Sequence, residues 1–133
     1  MLSFLSKYSD LGLLIGRVGL GVTYVLYGWP KLAGGAPMWT RLGHAMASGG
    51  ISFFPLAWGL LASLSEFFGG ALLILGFLFR PACCFIGFTM FVAFMSLLHA
   101  GRHFPEYAQP LQMLFVFVML AFVGPGKYSI DRG

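Results

Sequence analysis

The chain has 133 residues, of which 59% are hydrophobic and 9% charged, and its mean hydropathy is +0.87. Soluble domains carry about a quarter of their residues as charged side chains, so this composition excludes an ordinary soluble domain and indicates an integral membrane protein. The net charge of +4 comes from basic residues spread singly along the chain, which excludes a clustered nucleic-acid-binding surface.

Four apolar stretches are long enough to cross a bilayer, which takes roughly 17–25 residues. The predicted spans lie at about residues 11–29, 55–79, 82–98 and 107–123. Pro30 is expected to end the first helix, and the short turn after the second makes it an antiparallel neighbour of the third. The predicted fold is therefore all-α: one domain over residues 1–133, an up-down-up-down four-helix bundle in the membrane.

The long first loop contains a predicted short amphipathic helix over residues 37–47. Trp39, Leu42 and Met46 recur at helical spacing, so they share one face. Such a segment is typical of a helix that lies in the membrane interface. The alternative is a lid over a site between the spans.

The orientation follows from the basic residues of the short loops, which favour the cytoplasmic side. Four spans place Lys7, Arg80, Lys127 and Arg132 on the side of both termini. The opposite side carries Lys31, Arg41 and Arg102. We therefore expect both termini in the cytoplasm, in a bacterial-type inner membrane.

Glu66 lies near the middle of the second span, where a charged side chain costs about 2.5–3.5 kcal/mol by insertion scales. Such residues face the bundle interior and pair there. Small residues share the helical face of Glu66: Gly59, Ala62, Ser63, Gly69 and Gly70. The first helix carries its own inward stripe: Arg17, Gly21, Tyr24 and Gly28, with Lys31 at its outer end. The predicted partner of Glu66 is Arg17, as a structural pair or as catalytic groups.

Further polar side chains gather toward the side opposite the termini. They form a predicted ligand-binding pocket above Glu66, lined by Lys31, His99, Gln112, Tyr24 and Gln109. A flat apolar ligand with carbonyl groups, such as a quinone, suits this lining.

His99, His103 and Glu106 have a spacing that would put metal ligands on one face of a continuous helix. Gly101 and Pro105 argue against that helix, so a metal or haem site is the weaker alternative, and no metal is predicted. Cys83 and Cys84 are adjacent, which disfavours a mutual disulfide, and they are interpreted as small buried hydrophobic residues.

Three segments in order resemble the DoxX/DoxD-like family of small membrane proteins. They are IGRVGLGVTYVLYGWPKL, SEFFGGALLILGFLFRPA and the closing GPGKYSID. The residues that match the pattern of that family are Arg17, Lys31, Glu66, Arg80 and Asp131.

The resemblance implies four membrane helices with cytoplasmic termini and a link to membrane redox chemistry. One branch of the family is similar to the membrane subunit of a thiosulfate:quinone oxidoreductase. The first hypothesis is thus an oxidoreductase subunit that binds a quinone and relays protons through Glu66, with a protein partner supplying electrons. The alternative is a non-catalytic accessory or assembly subunit, or a small transporter, in which the polar interior is structural. The sequence is also compatible with a homo-oligomer.

Overall fold

The computed structural model describes residues 2–50 and 53–131, apart from the side chains of residues 48 and 49. Arg132, on which the predicted orientation partly rests, lies outside the described residues. The described part is helical and contains no β-strand. Its α-helices are α1 (Ser9–Ala33), α2 (Gly35–Gly43), α3 (Pro55–Leu75), α4 (Phe79–His99) and α5 (Ala108–Val123). A 3₁₀ segment, Ser3–Tyr8, precedes α1, and a second, His44–Gly49, follows α2.

Three helical segments of the described chain are long and apolar enough to cross a membrane. They are Ser3–Ala33, Pro55–Leu75 and Phe79–His99. Helix α5 is also apolar but has 16 residues, slightly less than the usual minimum for a span. The existence of all four predicted helices is confirmed, and their bounds differ from the predicted ones by a few residues.

Helix α1 continues past Pro30, so the prediction that Pro30 ends it is wrong. A proline inside a helix removes one backbone hydrogen bond but keeps a helical φ. Two hydrogen bonds stabilise the turn that follows Pro30. The backbone N–H of Gly34 donates to the Pro30 carbonyl oxygen at 3.0 Å, and the indole Nε1 of Trp39 donates to that of Lys31 at 3.1 Å.

Helices α1 and α3 pack as antiparallel neighbours. Gly21 lies against Gly70 and Ile74, whereas Gly28, two turns later, lies against Phe67. A Cβ on Gly28 would come within 2.6 Å of the Phe67 nitrogen, so the two backbones approach too closely for any side chain there. The predicted inward stripe of α1 is confirmed, because its four members are the buried residues of this helix.

Helix α2 crosses α3 at a pair of glycines. A Cβ on Gly43 would collide with the Pro55 carbonyl, and one on Gly59 would collide with the Trp39 carbonyl. The helix begins two residues before the predicted start and becomes 3₁₀ at His44, earlier than predicted. Pro37 then falls in the first turn, where its missing N–H costs no hydrogen bond.

The buried core lies where α3, α4 and α5 meet the middle of α1. Its largest members include Tyr24, Leu73, Phe79, Ile86 and Phe117. The ring of Tyr24 packs edge-on against that of Phe117, with 5.3 Å between centroids. Helix α5 ends at Val123, before Gly124, as the Gly-Pro-Gly sequence predicts.

Candidate functional site

An ion pair in the interior joins α1 to α3. Lys31 Nζ donates to Glu66 Oε2 at 2.7 Å. The Glu66 side chain is 4% exposed, whereas that of Lys31 is 30% exposed. Lys31 therefore connects a buried carboxylate to the surroundings of the protein.

The predicted pairing of Arg17 with Glu66 is wrong, and the helix register explains why. Arg17 and Lys31 lie 14 residues apart on the same face of α1, which places them about 21 Å apart along the axis. In the antiparallel packing, Arg17 lies beside the end of α3, and the outer part of α1 lies beside Glu66. Lys31, interpreted from the sequence as an outer pocket residue, is the partner that the register supplies.

Arg17 is bound by backbone carbonyl groups. Its Nη1 donates to the Leu73 carbonyl oxygen at 3.4 Å, and its Nη2 donates to that of Tyr128 at 2.5 Å. The residue is 1% exposed. The end of α3 and the segment after α5 accept from its two terminal nitrogens, whereas its buried Nε has no hydrogen-bond partner among the described residues. This arrangement suits a structural role better than the predicted catalytic one.

The segment after α5, residues 124–131, folds back across this end of the molecule. The Asp131 carboxylate accepts from the backbone N–H groups of Leu78 and Phe79, at 3.1 and 2.8 Å, and so caps α4. Asp10 in turn accepts from the backbone N–H of Lys127 at 3.1 Å. We name residues 124–131 the C-terminal tail. These contacts were not predicted from the sequence.

A cavity of about 390 Å³ lies beside the Lys31–Glu66 pair. Its walls come from α3, α4 and the α2 region. The lining residues used below are Lys31, Leu42, Met46, Glu66, Phe85 and Phe88. Phe85 and Phe88 line the cavity and are exposed, so its α4 wall reaches the surface of the protein.

Trp39, Leu42 and Met46 form the apolar face that the sequence predicts for α2 and the segment after it. This face points inward. Leu42 and Met46 line the cavity, and Trp39 donates to the end of α1. The close crossing at Gly43 and Gly59 holds this helix against α3. The geometry therefore favours α2 as a wall of the site. This is closer to the lid predicted as an alternative than to a helix that only lies in the membrane interface.

The structure does not bring the other predicted pocket residues to this cavity. Tyr24 is 2% exposed in the core, and its hydroxyl finds no hydrogen-bond partner among the residues that the structure describes. His99 ends α4, and Gln109 and Gln112 lie on exposed positions of α5. Of the predicted ligand-binding set, Lys31 lines the cavity with Glu66.

The weak alternative of a metal site receives no support from the geometry. The described residues contain no group of three or more His, Cys, Asp or Glu side chains that could hold a metal ion. Glu106 pairs with Arg102 at 3.2 Å on the exposed surface. Cys83 is buried as interpreted, but Cys84 is exposed, which corrects the expectation that both are buried.

Sequence reasoning missed the wall that α4 supplies. Cys84, Phe88 and Val92 recur every four residues on one side of that helix, and Phe85, Thr89 and Ala93 form the adjacent row. In a helix this apolar, cavity-facing and lipid-facing residues have the same composition. The one available signal is Thr89, whose hydroxyl donates to the Phe85 carbonyl oxygen at 3.0 Å.

The site combines an apolar chamber with one charged pair in its wall. Lys31 can donate a hydrogen bond to a carbonyl oxygen, and the Glu66 carboxylate can accept or release a proton. A ligand with a flat apolar body and a polar group at one end matches this arrangement, because pockets of this kind bind by shape and orient by a few polar contacts.

Comparison with known proteins identifies the family of the chain. The DoxX family model matches residues 12–100. The chain is 33% identical over 131 residues to inner membrane protein YqjF of Escherichia coli (strain K12), covering 96% of this chain and 95% of that protein. It is 28% identical over 140 residues to inner membrane protein YphA of the same organism, covering 95% and 96%. No solved structure matches the chain significantly. The chain belongs to the DoxX family.

Proposed function

We propose that this protein is an inner-membrane subunit of a quinone-linked oxidoreductase. In this proposal the cavity beside Lys31 and Glu66 binds the quinone head group. The observation that carries it is the 2.7 Å pair of a nearly buried carboxylate and a half-buried lysine in the wall of an apolar chamber of about 390 Å³. Cavities of roughly 300–1,000 Å³ with few polar groups are typical of small-molecule sites.

The location and topology belong to the same proposal. YqjF and YphA are both named as inner membrane proteins, and α1, α3 and α4 have the length and hydropathy of spans. In the proposed arrangement α5 is a fourth span, residues 1–133 form one up-down-up-down bundle, and both termini are cytoplasmic. Helix α2 then lies at the opposite membrane surface, where it closes the cavity.

Lys31 orients the ligand by donating a hydrogen bond to one quinone carbonyl oxygen. Reduction of a quinone to a quinol consumes two electrons and two protons. In this proposal the two electrons come from a partner protein. Glu66 passes protons toward the carbonyl oxygens, and the 30% exposed Lys31 reloads it from the surroundings.

Glu66→Gln tests this role, since the amide keeps the shape of the side chain but cannot carry a proton. The purified parent protein is expected to retain a quinone from the membrane, detected by extraction and mass spectrometry. The variant should accumulate and still retain the quinone, but quinone-dependent turnover with the native electron donor should fall by about 100-fold or more.

Glu106→Gln is the matched control, because Glu106 also pairs with a basic residue but lies on the exposed surface. It should behave like the parent protein. Normal turnover in Glu66→Gln would remove Glu66 from the mechanism. Absence of any retained quinone, together with a stably co-purifying protein, would favour the accessory-subunit alternative.

A further inference from the structure

A second cavity adjoins the first on the other side of α4. It has a volume of about 580 Å³ and lies between α4 and α5. Its walls are apolar apart from Arg80 at one end of the lining, and they include Gly87, Leu114, Val118 and Ala121. We name it the α4–α5 groove. The function proposed above does not use it.

The two cavities share part of their lining. Cys84 and Phe88 line both, and they lie one helical turn apart on α4. Both residues are exposed, so the ridge that they form faces the exterior of the protein. A flexible chain that leaves the first cavity reaches the groove by crossing this single helix, which is about 10 Å wide.

We propose that the ligand carries a long isoprenoid tail, which leaves the head-group cavity over the Cys84–Phe88 ridge and lies in the α4–α5 groove. This inference rests on the proposed quinone function and specifies its substrate class. A tail-less quinone would bind through the head group alone. The shared lining of the two cavities argues for one long ligand, because the polar pair lies in the wall of the first, and the lining of the second is apolar apart from Arg80.

The test compares two probes: a ubiquinone head group without a tail and the same head group with a long isoprenoid tail. Dissociation constants are measured by partition between nanodiscs that contain the protein and empty ones. Ala121→Trp fills the groove, and Val118→Trp does so from a more exposed position that tolerates bulk better. Met119→Trp is the control, because Met119 is exposed on the same helix but lines neither cavity.

Either groove variant should weaken binding of the tailed probe by about tenfold or more, as expected when contacts of about two methylene groups are lost. Binding of the tail-less probe should stay unchanged, and Met119→Trp should affect neither probe. Equal affinity of the tailed probe in all three variants would overturn the tail site while leaving the head-group site intact. Failure of both probes to bind the parent protein would overturn the proposed function and this inference together.

Alkylation of Cys84 by a maleimide in detergent gives a second, independent readout. Cys83, which is 1% exposed, should not react and serves as the internal control. Because Cys84 lines the head-group cavity as well as the groove, both probes can shield it, but the tailed probe should slow its reaction more than the tail-less probe. Equal alkylation rates with the two probes would contradict passage of the tail over the ridge.

Discussion

The interface between α1 and α3 carries a basic residue near each end, and the two have different surroundings. Arg17 is fully buried and donates to backbone carbonyls, one of them in the C-terminal tail. Lys31 is partly exposed and pairs with a carboxylate in a cavity wall. Carbonyl groups do not change protonation state, but a carboxylate does. The contacts of the Arg17 end therefore suit a structural role, and the Lys31 end is the one at which we propose the chemistry.

The largest effect on stability is expected at the Arg17 end. Arg17→Met removes two hydrogen bonds from a charged donor, each worth about 1.5–3 kcal/mol, and should lower the free energy of unfolding by about 3 kcal/mol or more. Thermal unfolding in detergent, followed by loss of monodisperse protein, measures it. Arg102→Met is the control, because Arg102 is exposed. Unchanged stability of Arg17→Met together with loss of quinone binding would show that Arg17 serves the ligand and not the structure.

Substitutions at the Lys31 end should cause a smaller loss of stability. The effects of substituting Lys31 and Glu66 should be energetically coupled. Removal of one partner from a fully buried ion pair costs about 3–5 kcal/mol, and partial exposure of Lys31 should reduce that figure. A double-mutant cycle with Lys31→Met and Glu66→Gln should give a coupling energy of about 0.5–3 kcal/mol. Additive single effects would show that the 2.7 Å contact contributes nothing to stability.

The next largest effect on stability is expected at the cap of α4. Asp131→Ala removes the carboxylate that accepts from Leu78 and Phe79, and it should lower stability by about 1 kcal/mol, the usual loss for a helix cap. Quinone binding should not change, since Asp131 belongs to the Arg17 end. Asp131→Asn, which keeps an acceptor oxygen, should recover part of the loss. Altered quinone affinity in Asp131→Ala would show that the two ends are coupled.

The smallest effect is expected at the exposed pair of Arg102 and Glu106. Both side chains are more than half exposed, and surface pairs on one segment contribute little. Arg102→Ala should leave the unfolding temperature and quinone binding within experimental error. A measurable shift in either would mean that this loop has a partner beyond Glu106.

The sequence predicted the helices and their buried faces well, for a simple reason. Hydropathy and helical spacing are local properties, so the stripe from Arg17 to Gly28 and the small residues around Glu66 were both identified. The register between two helices is not local. A choice between Arg17 and Lys31 as the partner of Glu66 needs the relative position of α1 and α3, which many glycine contacts set together.

The cavity and the contacts of the C-terminal tail were harder to predict than the helices, for related reasons. The wall from α4 consists of the same apolar residue types that face lipid, so composition does not distinguish Phe85 from any other outer residue. The contacts of the C-terminal tail depend on backbone groups, which carry no side-chain signature. Asp131 matched the family pattern, but its role as a cap on α4 needed the position of Leu78.

The contact between Arg17 and Tyr128 also bears on how the protein is made. The two residues are 111 positions apart, so Arg17 leaves the ribosome long before its acceptor is synthesised. During that interval the first helix holds an arginine that α3 can satisfy only in part, through Leu73. The insertion machinery or a chaperone must tolerate this unfinished state, and a chain stopped before residue 124 should remain in it and be degraded.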